Sequence, residues 1–223
     1  MATIKSLIYY LAVFFTIRVM VILSLIFFVT LLTSIASLRD FHLERKLIGH
    51  PYSTYVFKQW YRLLTSGFIH ADPMHLFFNL YSLRSFSPLV IAHLYFDDWG
   101  IVLSQLMLIL LYIGGILSAN IVSYYLHRSD RYYYHLGASA GVVAVMSSAI
   151  LYEPMMEISI IFLPVGIPAV LFLPLYLTWS FITRNRRSST GHLAHFIGAM
   201  YGIFFTLCIR YREILDFFQE WAA

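Results

Sequence analysis

Ser139 lies in one of three short polar groups that could carry out acyl-transfer chemistry within this largely apolar chain. Its immediate surroundings, Gly137-Ala138-Ser139-Ala140-Gly141, contain only small residues. Small residues let a second helix approach closely, and this is the commonest reason for such a stretch in a membrane protein. They would also leave a nucleophilic hydroxyl accessible to a substrate. Taken alone, Ser139 is therefore either a packing residue or a nucleophile.

The second group extends from His192 to Gly202 and combines histidines with two glycines four residues apart. Gly198 and Gly202 form a GxxxG face on which another helix can pack tightly. His195 precedes Gly198 by three residues and lies near the same face. A histidine there either links helices by a hydrogen bond or serves as general base for a serine, which requires a contact of about 2.6–3.2 Å.

The third group is His70-Ala-Asp-Pro-Met-His75-Leu-Phe-Phe-Asn79. Pro73 suits the first turn of a helix, where its missing N–H is no loss. His75 and Asn79 are four residues apart and share a helix face. Their side chains could donate hydrogen bonds to a developing oxyanion. They could equally cross-link helices, so this group alone does not decide its function.

The composition indicates a membrane protein. Hydrophobic residues make up 60% of the 223 residues and charged residues 12%, whereas an average soluble domain has about 25% charged residues. So much apolar surface requires lipid as its solvent. The net charge of +4 comes from Lys and Arg at the edges of apolar runs, which is typical of contact with lipid headgroups, and no nucleic-acid partner is predicted. Cys208 is the only cysteine, which excludes an intramolecular disulfide.

Six apolar runs are long enough to be considered as bilayer spans, which need about 20 residues each. They cover residues 17–38, 74–96, 99–126, 137–153, 155–183 and 192–212. The predicted fold is therefore an all-α, polytopic membrane protein. Its membrane domain is placed at 17–212, after an interfacial lead-in at 1–16 and before a short C-terminal tail at 213–223.

Two features shape the N-terminal part of this prediction. Arg18 falls within the apolar run 7–36, and a charge at mid-bilayer costs at least about 2.5 kcal/mol, so the first span is expected to begin near Arg18. A cleaved signal peptide is the competing interpretation of the same run. The long loop at 39–73 is rich in aromatic residues, which predicts a structured loop lying partly in the membrane interface.

Together, the three polar groups resemble the motifs of the rhomboid proteases. They match that family's H-x4-H-x3-N, G-x-S-x and A-H-x2-G-x3-G patterns, in its order and on its second, fourth and sixth helices. The resemblance extends from about residue 58 to residue 205, and includes Trp60-Tyr61-Arg62, which is similar to the family's tryptophan-arginine segment. It implies a six-helix rhomboid-like bundle and a serine endopeptidase that cleaves transmembrane segments of other membrane proteins, without a metal or other cofactor.

The resemblance also implies roles for individual residues. Ser139 would attack the scissile carbonyl and His195 would take its proton. Asn79, His75 and the Ser139 backbone N–H would form the oxyanion hole, and His70 would help to arrange the loop above it.

Two positions depart from the family pattern. Ala140 replaces the glycine that most members have after the serine. Val143 stands where many members have a tyrosine stacked on the catalytic histidine. A Ser-His dyad is expected, with another group needed to orient His195.

The expected partners are the lipid bilayer and transmembrane protein substrates, which would approach laterally past the second and fifth spans. Pro164, Pro168 and Pro174 in the fifth span either allow a mobile gate or simply fix its shape. A multi-pass protein of a bacterial cytoplasmic membrane is the default expectation, because no additional targeting segment is evident. No feature predicts an oligomeric state or a particular substrate.

Two arguments disagree about which side of the membrane the active site faces. Ten basic residues lie on the loop side that holds Ser139: Arg39, Arg45, Lys46, Lys58, Arg62, Arg128, Arg131, Arg184, Arg186 and Arg187. Five lie on the opposite side: Lys5, Arg18, Arg84, Arg210 and Arg212. The positive-inside rule places the active site in the cytoplasm. The resemblance implies the extracytoplasmic side, and we favour it because half of the ten lie in the long, structured loop.

The same polar residues and apolar runs suggest three alternative functions. A catalytically silent rhomboid-like protein would bind transmembrane helices, but such members typically lack the serine or histidine that this chain retains. A metal-dependent membrane enzyme could use His70, His75, His192 and His195, yet neither H-E-x-x-H nor H-x-x-H-H occurs. A small transporter would be expected to show paired inverted repeats, and none is evident.

Overall fold

A computed structural model describes residues 21, 23–94, 100–159, 166–183 and 191–222. These residues form nine α-helices, a short 3-10 helix and one two-stranded antiparallel sheet. The helices are α1 (Leu23–Arg39), α2 (Phe41–Leu47), α3 (Pro51–Phe57), α4 (Arg62–Thr65), α5 (Pro73–Leu94), α6 (Gly100–His127), α7 (Ser139–Tyr152), α8 (Ala169–Thr183) and α9 (His192–Ala222). The 3-10 helix is Ser66–Phe68, and the strands are β1 (Glu157–Ser159) and β2 (Gly166–Pro168). The predicted all-α class is confirmed.

Helix α7 lies at the centre of the fold and packs against α5, α6, α8 and α9. Every residue from Ala140 to Ile150 is buried, which explains why α7 consists of small and apolar residues throughout. Gly115 of α6 lies so close to α7 that a Cβ there would be 2.7 Å from the Cβ of Ala144. The helix that begins at Ser139 is therefore held on several sides by close packing.

Two of the described helices are long and apolar enough to cross a membrane. They are α6, with 28 residues, and the segment His192–Arg210 of α9, with 19 residues. Helices α1, α7 and α8 are apolar but shorter. The predicted lead-in at 1–16 lies outside the described residues. A bundle of six membrane spans thus stays a prediction at this point.

The prediction that residues 155–183 form a single helical span is wrong for the first part of this run. Strands β1 and β2 pair in antiparallel fashion, with Ile158 opposite Ile167, and only residues from Ala169 onwards form α8. Pro168 explains the break, because proline disfavours helical backbone at the preceding residue. The first N–H groups of α8 donate instead to carbonyls before the hairpin, from Ala169 to Met156 and from Val170 to Pro154.

The last helix has non-helical backbone at Arg210, close to the predicted end of the membrane domain at 212. Beyond this kink the backbone is helical to Ala222. The kink therefore divides the apolar part of α9 from the segment predicted as a C-terminal tail.

The long first loop is structured, as predicted, and the Arg62 side chain holds it together. This side chain is 8% exposed. Its Nε donates to Oε1 of Gln59 at 2.6 Å, and its Nη1 donates to the carbonyls of Arg45 at 2.9 Å and Ile48 at 2.7 Å. The last carbonyls of a helix lack partners within it, so Arg62 satisfies the C-terminal end of α2.

Replacing Arg62 with methionine is expected to destabilise the fold by roughly 2–4 kcal/mol, because the two carbonyls and Gln59 lose a charged donor. Arg62→Lys should recover only part of this, since an ammonium cannot match the geometry of the guanidinium fork. Thermal unfolding in detergent micelles measures both effects. Arg128→Met, at an exposed arginine, is the matched control. Equal melting temperatures for Arg62→Met and Arg128→Met would contradict this role.

Candidate active site

A cavity of about 940 Å³ brings together four of the five predicted site residues. His75 and Asn79 reach it from α5, Ser139 from α7 and His195 from α9. The loop between α6 and α7 lines its other end. His70 is not among the lining residues and is only 2% exposed. Three segments far apart in the sequence thus converge on one site.

Ser139 is the first residue of α7, and the loop before it is fixed by two backbone hydrogen bonds. The N–H of Gly137 donates to the carbonyl of Ser66 at 2.9 Å, and the N–H of Ala138 donates to Nε2 of His70 at 3.3 Å. The first N–H groups of a helix have no carbonyl partner within it and carry partial positive charge. The Ser139 N–H can therefore donate to an anion that forms beside its own hydroxyl.

Gly137 allows the ring of His75 to lie against the backbone two residues before Ser139. Its φ of +117° is a conformation that residues with a Cβ rarely adopt. A Cβ at this position would also be 2.7 Å from Cε1 of His75. Both constraints require glycine, and the imidazole of His75 lies against Gly137 in the cavity that Ser139 also lines.

Asn79 lies one turn beyond His75 and is 6% exposed. Its Nδ2 donates one hydrogen to the carbonyl of His75 at 2.8 Å. An amide nitrogen carries two hydrogens, so the second can donate to a bound oxyanion. This bond fixes the orientation of the Asn79 side chain at the edge of the cavity.

His70 supports the site from behind. Its Nε2 accepts from the Ala138 N–H, which places the proton on Nδ1, and Nδ1 then donates to Oγ of Ser34 at 2.8 Å. Burial lowers the pKa of His70 to about 3, with His75 contributing in the same direction. The neutral ring therefore fixes the residue that precedes Ser139. The arranging role that the resemblance implied for His70 stays a prediction.

The depressed pKa of His70 predicts a loss of stability in acid. The unfolded chain binds a proton near pH 6.5, whereas the folded chain does not bind it until about pH 3. The stabilisation is therefore complete above pH 6.5 and declines as the pH falls towards 3, by at most about 1.4 kcal/mol for each pH unit. His70→Gln should flatten this decline in melting curves recorded from pH 7 to pH 4.

His42 supplies the control for this acid titration, because it is an exposed histidine in the same loop. His42→Gln should leave the pH dependence of the melting temperature as it is in the parent. His135 is half-buried, and desolvation lowers its pKa to about 4, so part of the acid dependence will persist without His70. Identical slopes for the parent and His70→Gln would show that His70 does not carry the effect.

The glycine face predicted on α9 packs directly against the backbone of α7. A Cβ at Gly198 would overlap the carbonyl oxygen of Ala140, and one at Gly202 would overlap that of Ala144. The predicted GxxxG contact is therefore confirmed. His195 lies one turn before Gly198, so this contact brings it to the end of α7 where Ser139 begins the helix.

Ser139 and His195 line the same cavity, but within the described residues no hydrogen bond joins them. Nδ1 of His195 is buried and, among the same residues, lacks a hydrogen-bond partner. Hydrogen bonds between a nucleophile and its base are often long before substrate binds and shorten in the reacting complex. The arrangement brings the two groups to one site without forming the dyad contact.

Two aromatic residues of α8 contact the histidines of α9, and no sequence pattern predicted either contact. The ring of Tyr176 is stacked near that of His195, with centroids 6.3 Å apart and planes at 23°. Trp179 packs edge-on to His192 with centroids 4.6 Å apart. Both lie in a uniformly apolar helix, where no pattern marks the face that points to a site. Ser34, the partner of His70, was missed because 36 residues separate the two.

The alternative metal site would use His70 as a ligand, and the hydrogen bonds of His70 exclude this. Both of its ring nitrogens are engaged, one with Ser34 and the other with Ala138, so it cannot also ligate a metal. Within the described ranges, no group of three or more His, Cys, Asp or Glu side chains is placed to hold a metal ion.

Comparison with known proteins agrees with this geometry. A family model for the Rhomboid domain matches residues 58–212. The mitochondrial presenilin-associated rhomboid-like proteins of Rattus norvegicus and Mus musculus are each 28% identical over 154 residues, which is 64% of this chain and 36% of theirs. These relatives lend no support to the predicted bacterial membrane. The matched region covers more than half of the chain and contains all three polar groups, so the chain belongs to the membrane-embedded Rhomboid family.

Proposed function

We propose that this chain is an intramembrane serine endopeptidase that cleaves transmembrane segments of other membrane proteins. The observation that carries the proposal is the single cavity holding Ser139 at a helix N-terminus, His195 on the helix packed against it, and His75 and Asn79 on a third helix. Helices α1, α5, α6, α7, α8 and α9 would form the six membrane spans.

In the first half of the reaction, Oγ of Ser139 attacks the scissile carbonyl carbon while His195 takes the hydroxyl proton. The carbonyl oxygen becomes an oxyanion. It would accept hydrogen bonds from the Ser139 N–H, the second Nδ2 hydrogen of Asn79 and the ring of His75. Donors fixed in advance stabilise this charge without reorganisation, and each such donor contributes about 3–4 kcal/mol in well-studied cases.

In the second half, protonated His195 gives its proton to the leaving amine, and the new N-terminus departs. An ester then joins the acyl half of the substrate to Ser139. His195 removes a proton from water while the water oxygen attacks the ester carbon. The bond from that carbon to Oγ of Ser139 then breaks, His195 gives the proton to Oγ, and the acyl half leaves as a carboxylic acid. The cavity of about 940 Å³ has room for water, and the polar side chains of Asp130 and His127 line its loop end.

The catalytically silent alternative has one observation in its favour, which is the lack of a hydrogen bond between Ser139 and His195 in the described structure. A silent protein would bind a transmembrane helix at the same cavity without covalent chemistry. The two functions therefore differ in the reactivity of Ser139, and reactivity can be measured without knowing the substrate.

The experiment uses the full chain in liposomes, treated with a fluorophosphonate and analysed by intact mass and peptide mapping. We expect one adduct per chain, located on Ser139. Labelling should disappear in Ser139→Ala and fall sharply in His195→Gln, because the serine then lacks its base. Ser147→Ala, a buried serine on α7 that does not line the cavity, should label like the parent. An unlabelled parent chain would favour the silent alternative.

A further inference from the structure

The histidine proposed as the base lacks a hydrogen-bonded support. Nδ1 of His195 is buried and, within the described residues, unpaired. A serine hydrolase base is usually held in position by a third group that bonds to this nitrogen. One turn after Ser139, Val143 has a side chain too small to stack on an imidazole. The orientation of His195 must therefore come from packing.

Tyr176 is placed to supply that packing. Its ring and that of His195 are stacked with their planes at 23° and their centroids 6.3 Å apart, within the range of about 4.5–7 Å over which aromatic rings attract. Behind it, Phe172 stacks on Tyr176 with centroids 5.8 Å apart and planes at 16°. Three nearly parallel rings thus extend from α8 to the histidine on α9.

Tyr176 packs against the buried cluster to which Val143 belongs. Val143, Met146 and Ala199 belong to one buried cluster, and Tyr176 and Phe172 pack against it. A small side chain at position 143 leaves room for an aromatic ring from the neighbouring helix. The ring of Tyr176 is therefore supported on one side by Phe172 and on another by the cluster, which limits its own motion.

From this arrangement we propose that Tyr176 is the positioning residue for His195, so that the orientation of the base depends on the docking of α8 against α9. This inference rests on the proposed function. Tyr176 lines the same cavity, and in this proposal it acts through the imidazole rather than on the scissile bond. Displacement of α8 from α9 would release the ring of His195, and catalysis would stop while the serine stayed in place.

The test compares Tyr176→Leu, Tyr176→Phe and the parent chain in liposomes with a transmembrane reporter substrate. Tyr176→Leu should lower kcat roughly 10²-fold, since a misplacement of about 1 Å can cost that much. KM should change much less than kcat, because the lost ring stack orients the base, whereas Tyr176 is one of many residues that line the cavity. Tyr176→Phe keeps the stacked ring and should stay within about threefold of the parent in kcat.

Phe181→Leu is the matched control, because Phe181 makes an aromatic contact between α8 and α9 with Phe196. It should lower the melting temperature about as much as Tyr176→Leu and leave kcat unchanged. An equal loss of kcat in both leucine variants would overturn the inference, since the loss would then follow general packing of α8. Loss of kcat in Tyr176→Phe equal to that in Tyr176→Leu would overturn it as well.

A readout that needs no turnover separates this inference from the proposed function. In protein labelled with ¹³C at histidine Cε1, the His195 signal is assigned by its disappearance in His195→Gln. The stacked ring of Tyr176 should shift that signal in the parent and in Tyr176→Phe, and the shift should be lost in Tyr176→Leu. An unshifted parent signal would overturn the positioning role even if the chain proves to be an active protease. A shifted signal in a chain whose serine is unreactive would support the packing and reject the proposed function.

Discussion

Replacing Ser139 with alanine is expected to lower the rate of substrate cleavage by roughly 10⁴- to 10⁶-fold, the range found when a serine hydrolase loses its nucleophile. His195→Ala should cost a similar factor, because an unassisted serine hydroxyl is a poor nucleophile at neutral pH. The double variant should be no slower than either single variant, since the two groups act as one unit. Single-turnover cleavage of a transmembrane reporter in liposomes measures all three rates.

Ser147→Ala controls for the loss of a serine from α7, because Ser147 is buried in the same helix and does not line the cavity. Its cleavage rate should match that of the parent. Multiplicative losses, in which the double variant falls by the product of the two single factors, would show that Ser139 and His195 act independently. That result would exclude the dyad even if each residue mattered alone.

The site could be predicted from the sequence largely because its residues belong to segments with strong local requirements. Gly198 and Gly202 indicate a close helix contact, since residues four apart share a face and only glycine permits backbones to touch. The structure places both against the carbonyls of α7, as expected. His75 and Asn79 share a face of α5 for the same reason of helical periodicity, and both line the cavity.

The fifth apolar run shows where such reasoning stops. An apolar stretch bounded by polar residues is compatible with a buried strand or a helix, and periodicity does not distinguish them. Pro168 and the β-branched Ile158 and Ile167 favour extended backbone locally, yet the length of the run favoured a span. The structure resolves the conflict with a hairpin followed by a shorter helix.

Tyr176 could not be assigned from the sequence for a different reason. It lies among Leu, Phe, Val and Trp in a helix without a polar face, and tyrosine is common wherever a membrane helix meets the lipid interface. Its relation to His195 depends on how α8 docks against α9, which is a tertiary property. The departure at Val143 predicted that some group must replace the family's tyrosine, but not which one.

The second large effect is expected at Gly198. Gly198→Ala places a methyl group where the carbonyl oxygen of Ala140 lies, so α9 must move away from α7. His195 is one turn away on the same helix and will move with it. We expect a loss of stability of roughly 1–3 kcal/mol, typical of overpacking, and a loss of kcat of about 10²-fold from the displaced base.

Gly202→Ala separates displacement of the base from loss of packing. Its methyl group would overlap the carbonyl oxygen of Ala144, the same kind of backbone clash one turn farther from His195. Both variants should therefore lower the melting temperature by similar amounts. The two should differ in kcat, since a helix pushed outwards at Gly198 moves His195 more than one pushed outwards at Gly202. If the two variants lose equal stability and equal kcat, the contact between α7 and α9 supports only the fold. In that case this contact does not position His195 relative to Ser139.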